Sequence, residues 1–193
     1  MNIPTVLTIL RIMTTPIIII LIYAGNTQDL FSYKSVFLSI AAFLFAVAAI
    51  TDFIDGKLAR SKSQVTKLGT FLDPIADKFM VCSVLVTMVL MYTNTRYGVL
   101  FAILSTVVIS REILITGLRE WTARIGQEQV SAVAQSGKLK AGFQMTGITM
   151  LIVGPTLSNS FFTIASIGIF FIGVILGLTS AYSYMKASIK TFI

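Results

Sequence analysis

The sequence predicts an all-α integral membrane protein of six transmembrane helices plus a short juxtamembrane helix. Three observations carry this. Apolar residues make up 55% of the 193 residues and charged residues only 12%, against about 25% charged in a soluble domain. Apolar runs of membrane-spanning length, about 20 residues, recur six times between polar, turn-rich breaks. Basic residues gather at alternate breaks, as expected when an even number of spans returns the chain to its starting side.

The first span covers 4–24 and includes PIIIILIY, with Pro16 as an expected kink. It lacks a small-residue cleavage site, so it reads as a retained helix rather than a signal peptide. AGNTQD (24–29) closes it. The second and third spans cover 35–59 and 69–92, and MYTNTRYG (91–98) separates the third from the fourth, 98–119. The polar segment 120–137 is expected to hold the juxtamembrane helix and a loop. The fifth span, 138–157, and the sixth, 160–185, meet at VGPTLSNS (153–160). No internal repeat divides the chain, so 1–193 reads as a single transmembrane domain.

Charge orients it. Lys57, Arg60, Lys62 and Lys67 flank the break after the second span; Arg111, Arg119, Arg124, Lys138 and Lys140 flank the one after the fourth. Arg11, Lys186 and Lys190 lie near the termini, while the opposite side has only Lys34 and Arg96. The positive-inside rule places both termini and both basic loops in the cytoplasm; the expected location is the plasma membrane. The net charge of +7 fits an anionic membrane surface, and no nucleic-acid-binding motif accompanies it. With no histidine, and Cys82 as the lone cysteine, there is neither a disulfide framework nor a His-ligated zinc site. Carboxylates must carry the chemistry, which favours Mg²⁺ or Mn²⁺.

Four of the five aspartates, Asp52, Asp55, Asp73 and Asp77, fall within one 26-residue stretch of the second and third spans. A carboxylate at membrane depth is costly and marks function. Folding the two spans as an antiparallel hairpin centred between Gln64 and Val65 sets Asp52 level with Asp77, and Asp55 near Asp73. At 1.5 Å per residue, Asp52 lies about 12 Å inside the loop end of its helix. Asp52 and Asp55 are i, i+3; Asp73 and Asp77 are i, i+4, so each pair shares a helix face. Gly56, Ala59 and Gly69 leave room for a ligand beside them. Four ionised carboxylates this close repel one another, and one or two divalent cations are the natural counter-charge. The plainer alternative is that the aspartates cap helices or pair with Lys57, Arg60, Lys67 and Lys78; matched depth and interleaved small residues argue against it. Asp29 and Glu128 sit in presumed loops and read as solvated charges.

The residues Asp52, Asp55, Gly56, Ala59, Arg60, Gly69, Asp73 and Asp77 spell D-x2-D-G-x2-A-R, eight residues, then G-x3-D-x3-D. On this pattern the chain is identified as a member of the CDP-alcohol phosphotransferase family, whose six-helix fold would span nearly the whole length. The resemblance implies a homodimeric membrane transferase opening to the cytoplasm. It implies metal ligation by Asp52, Asp55, Asp73 and Asp77, with Asp77 also the general base. It implies contact of Gly56, Ala59 and Gly69 with the cytidine part of the donor, and of Arg60 with its pyrophosphate.

Three further segments, NIPTVLTILR (2–11), SREILITGLREW (110–121) and SGKLKAGFQM (136–145), resemble the branch that uses CDP-diacylglycerol as donor and glycerol 3-phosphate as acceptor. Pro4, Thr8 and Arg11 share a helical face that would touch the donor; for Arg11 an interface anchor is the rival role. Arg111, Arg119, Lys138 and Lys140 would bind the acceptor phosphate, since guanidinium forks and ammonium groups match phosphate oxygens. The rival reading makes them positive-inside anchors, with Glu112 pairing Arg111; Trp121 reads as an aromatic-belt anchor. Serine, inositol phosphate, phosphatidylglycerol or choline are alternative acceptors. A cation transporter using the same aspartates is the rival outside the family, and a non-catalytic membrane protein a third.

Overall fold

The computed structural model describes residues 3–27, 33–62, 67–125, 136–157 and 159–189; for 3–5, 53–62, 67–70, 73, 136–138 and 189 it describes the backbone course alone. Six helices account for nearly all of it: α1 Ile3–Asn26, α2 Lys34–Lys62, α3 Lys67–Tyr92, α4 Gly98–Arg124, α5 Ser136–Leu157 and α6 Ser160–Ile189. Among the described residues, five are long and apolar enough to cross a membrane, by length and composition. The exception is α5, whose first half carries Lys138, Lys140 and Gln144. The segment expected to open a separate juxtamembrane helix at 120 instead continues α4 to Arg124; residues 126–135 lie outside the described residues.

The helices close into a ring. Around it run α1, α2, α5, α6, α4 and α3, each packed on the next, with α3 returning to α1. Helix α1 lies against both α2 and α3 over their described lengths; the turn of the expected α2–α3 hairpin, 63–66, lies outside the described residues.

Lipid is as apolar as a leucine side chain, so close packing rather than water exclusion holds such helices together. The ring's interior is filled at one end by Phe45, Met80, Met88, Phe101, Ile148 and Phe170, all fully or almost fully buried. Helices α5 and α6 approach most closely. A Cβ on Gly147 would lie 2.7 Å from Phe170 Cα, and one on Gly173 2.8 Å from Gln144 N. Gly173 and Gly177 form a G-x3-G step on α6, the spacing that lets transmembrane helices touch backbone to backbone.

A proline inside a helix frees a carbonyl, and at Pro155 a side chain answers. Pro155 cannot donate to Leu151 O, the i−4 acceptor. The Tyr92 hydroxyl from α3 donates to that carbonyl instead, at 2.8 Å, tying α3 to α5. Before Pro16, Thr14 and Thr15 both donate to Arg11 O, at 3.0 and 2.9 Å. Helix α1 continues through that proline without a break.

Candidate functional site

Toward the end of the ring holding the α2–α3 connection, the core gives way to a cavity of about 500 Å³. Its walls come from α2, α3, α4 and α5, and its polar lining includes Asp52, Asp77, Lys78, Glu112, Lys140 and Gln144. Two groups of charges face it.

The acidic group begins on α1. Arg11 is only 4% exposed, and its Nη1 donates to Asp52 Oδ1 at 2.6 Å. This bond holds Asp52 from a neighbouring helix and leaves its carboxylate facing the cavity, 40% exposed. Asp77 enters from α3. Its Oδ1 is buried and has no hydrogen-bond partner among the described residues. A partnerless buried carboxylate oxygen is costly unless a ligand or cation completes it. Lys78, a suggested neutralising partner, donates to Pro74 O on its own helix at 3.2 Å.

The second group joins α4 to α5. Glu112 Oε1 accepts from Arg111 Nη1 at 2.8 Å and also from Lys140 Nζ. Arg111 Nε donates across to Gly177 O on α6 at 3.2 Å, and the Lys140 stem runs alongside, in ordinary contact range 3.5 Å from the Gly177 Cβ position. All three side chains are 11–13% exposed. Two cations share one carboxylate, so the cluster carries a net charge of 2 − 1 = +1. In a low-dielectric wall that surplus attracts an anion.

The structure thus brings Asp52, Asp77 and Lys140 to one cavity, with Arg11 behind Asp52 and Arg111 behind Lys140. Thr8 is buried one turn before Arg11. Arg119 stands apart: exposed, with its guanidinium carbon 6.0 Å from the centre of the Tyr184 ring. The side chains of Pro4, Asp55, Gly56, Ala59, Arg60, Gly69, Asp73 and Lys138 lie outside the described residues. Among the described residues no three metal-ligating side chains cluster, since Asp52 and Asp77 are the only two of the four aspartates described there. Those two fit a hard cation: both offer carboxylate oxygens, and one of these is unpartnered.

Two participants escaped the sequence reading. Glu112 was assigned to Arg111 alone, whereas it also holds Lys140, 28 residues away. Gln144, buried on the cavity wall, bears no charge and gave no signal, although its i, i+4 spacing from Lys140 and the G-x3-G step opposite were readable.

The family profile described as CDP-alcohol phosphatidyltransferase matches residues 1–179. Among curated proteins, the CDP-diacylglycerol–glycerol-3-phosphate 3-phosphatidyltransferase of Escherichia coli strain K12 is 37% identical over 187 residues, covering 97% of this chain and 94% of that one. The protein of the same name from Shigella sonnei strain Ss046 matches equally, and that from Shigella flexneri serotype 5b is 36% identical over the same span.

Proposed function

The chain belongs to the CDP-alcohol phosphatidyltransferase family, and from that membership and the cavity's two charged walls we propose how it works. It is a multi-pass membrane transferase that moves a phosphatidyl group from CDP-diacylglycerol to glycerol 3-phosphate, giving phosphatidylglycerophosphate and CMP. The observation that carries the acceptor assignment is the Arg111–Glu112–Lys140 cluster, whose surplus positive charge adjoins the cavity that Asp77 enters.

The reaction is one displacement at phosphorus. The acceptor's primary hydroxyl oxygen bonds to the phosphorus bearing the diacylglycerol oxygen, the bond from that phosphorus to CMP breaks, and CMP leaves with the electron pair. Asp77 takes the hydroxyl proton, the role a carboxylate within hydrogen-bond reach performs in general base catalysis. Lys140, supported by Arg111, holds the acceptor phosphate; Lys138 and Arg119 add to the positive charge of the same helix ends. Gly56, Ala59 and Gly69 make room for the cytidine, Arg60 faces the donor pyrophosphate, and Pro4 and Thr8 complete the donor side. Arg11 fixes Asp52. The family uses divalent metal ions. Asp52, Asp55, Asp73 and Asp77 would hold one or two, Mg²⁺ or Mn²⁺. Such an ion would supply positive charge to offset that of the donor pyrophosphate.

The same reading makes residues 1–193 one catalytic domain in a homodimer in the plasma membrane, with the cavity and both termini facing the cytoplasm. Purified protein given CDP-diacylglycerol tests it: CMP release should require both glycerol 3-phosphate and a divalent cation and stop with chelator. Release that ignores either requirement contradicts it.

A further inference from the structure

We infer that Gln144 is the specificity residue that reads the acceptor's non-reacting hydroxyl. This rests on the proposed transfer to glycerol 3-phosphate and names a determinant within it.

Gln144 is 3% exposed, and its Oε1 is buried with no hydrogen-bond partner among the described residues. A buried amide oxygen without a donor is destabilising, so its retention calls for a donor that arrives with a ligand. The residue lines the same cavity as Asp77, Glu112 and Lys140. It follows Lys140 by four residues, placing the two on one face of α5 a turn apart. Its backbone is fixed against α6, because only a glycine at 173 permits that approach: a Cβ there would sit 2.8 Å from Gln144 N. That approach fixes where the Gln144 side chain starts from on the cavity wall.

Glycerol 3-phosphate has three functional carbons. Its phosphate belongs with Lys140 and its reacting hydroxyl with Asp77, which leaves the middle hydroxyl between them. Gln144 shares that cavity and offers the acceptor this hydroxyl needs: the hydroxyl donates to Oε1. A site built to bond a hydroxyl discriminates strongly against a substrate lacking it, because its own polar group is then left unpaired.

The test is a substrate–variant cycle. Wild-type protein and Gln144→Leu are assayed with glycerol 3-phosphate and with 3-hydroxypropyl phosphate, which lacks only the middle hydroxyl. Wild type should prefer glycerol 3-phosphate by about tenfold or more in kcat/KM. Gln144→Leu should lose that preference, falling on glycerol 3-phosphate while staying within about twofold of wild type on the analogue. Gln144→Glu, which keeps an acceptor oxygen, should retain the preference. Thermal melts in detergent identify any variant that fails to fold, in which case Gln144→Met, of similar shape, carries the same expectation. Equal losses on both substrates, or no preference in wild type, overturn the inference. Absence of turnover with glycerol 3-phosphate in wild type overturns instead the reading on which it rests.

Discussion

Arg11 on α1 donates its Nη1 proton to Oδ1 of Asp52 on α2 across 2.6 Å, from a position only 4% exposed. The guanidinium thereby sets which way a carboxylate of the acidic group points. Arg11→Met should lower kcat/KM for CDP-diacylglycerol by about tenfold and cost about 1–2 kcal/mol of stability. That figure is reduced from a fully buried pair because Asp52 is 40% exposed. Arg11→Lys should recover little, since a point charge on a flexible stem does not reproduce a planar fork. Steady-state kinetics and thermal melts read both effects.

Asp77→Asn removes the proton acceptor but keeps nearly the same volume. Turnover should fall by about 10²–10⁴-fold, the range for loss of a general base, while donor binding stays within a few fold. Equilibrium binding of CDP-diacylglycerol, measured beside CMP release, separates the two. Parallel loss of binding and turnover would make Asp77 purely a binding group.

Lys140→Met deletes one of the two cations held by Glu112 and leaves Arg111 to balance it, so the cluster drops from +1 to neutral. The acceptor KM should rise by about 10- to 100-fold, equivalent to about 1.5–3 kcal/mol for a hydrogen bond to a charged group. The donor KM should be unaffected.

Glu112→Gln does the opposite and leaves two cations with no counter-charge. The variant should melt below wild type, yet glycerol 3-phosphate should raise its melting temperature more than it raises that of wild type, because the ligand phosphate replaces the lost carboxylate. An equal or smaller ligand-induced shift would separate the cluster from the acceptor.

Five of the helices were legible because each carries a full apolar run, α5 because its second half does, and the four aspartates because a charge inside such a run stands out. The pairing of Arg11 with Asp52 was not, since sequence periodicity describes one helix face and this bond joins two helices 41 residues apart. The same holds for Glu112, whose second cation comes from α5. Helix α1 lies against both α2 and α3 over their described lengths, a neighbour relation that the order of apolar runs does not reveal. Gln144 is not legible because a neutral amide does not stand out in the sequence as a charge does.

Tyr92→Phe probes the fold without touching the cavity. It frees Leu151 O, which Pro155 cannot serve, so stability should drop by about 1–3 kcal/mol with kcat/KM unchanged.

The most direct measurement is a competition among acceptors. Purified protein receives CDP-diacylglycerol, a divalent cation and equal concentrations of glycerol 3-phosphate, serine, inositol phosphate and phosphatidylglycerol, and the lipid product is identified by mass spectrometry. Phosphatidylglycerophosphate as the dominant product, lost with chelator and selectively reduced in Lys140→Met, is the predicted result. A dominant product from another alcohol, or none at all, would contradict the assignment of the cationic wall to the phosphate of glycerol 3-phosphate.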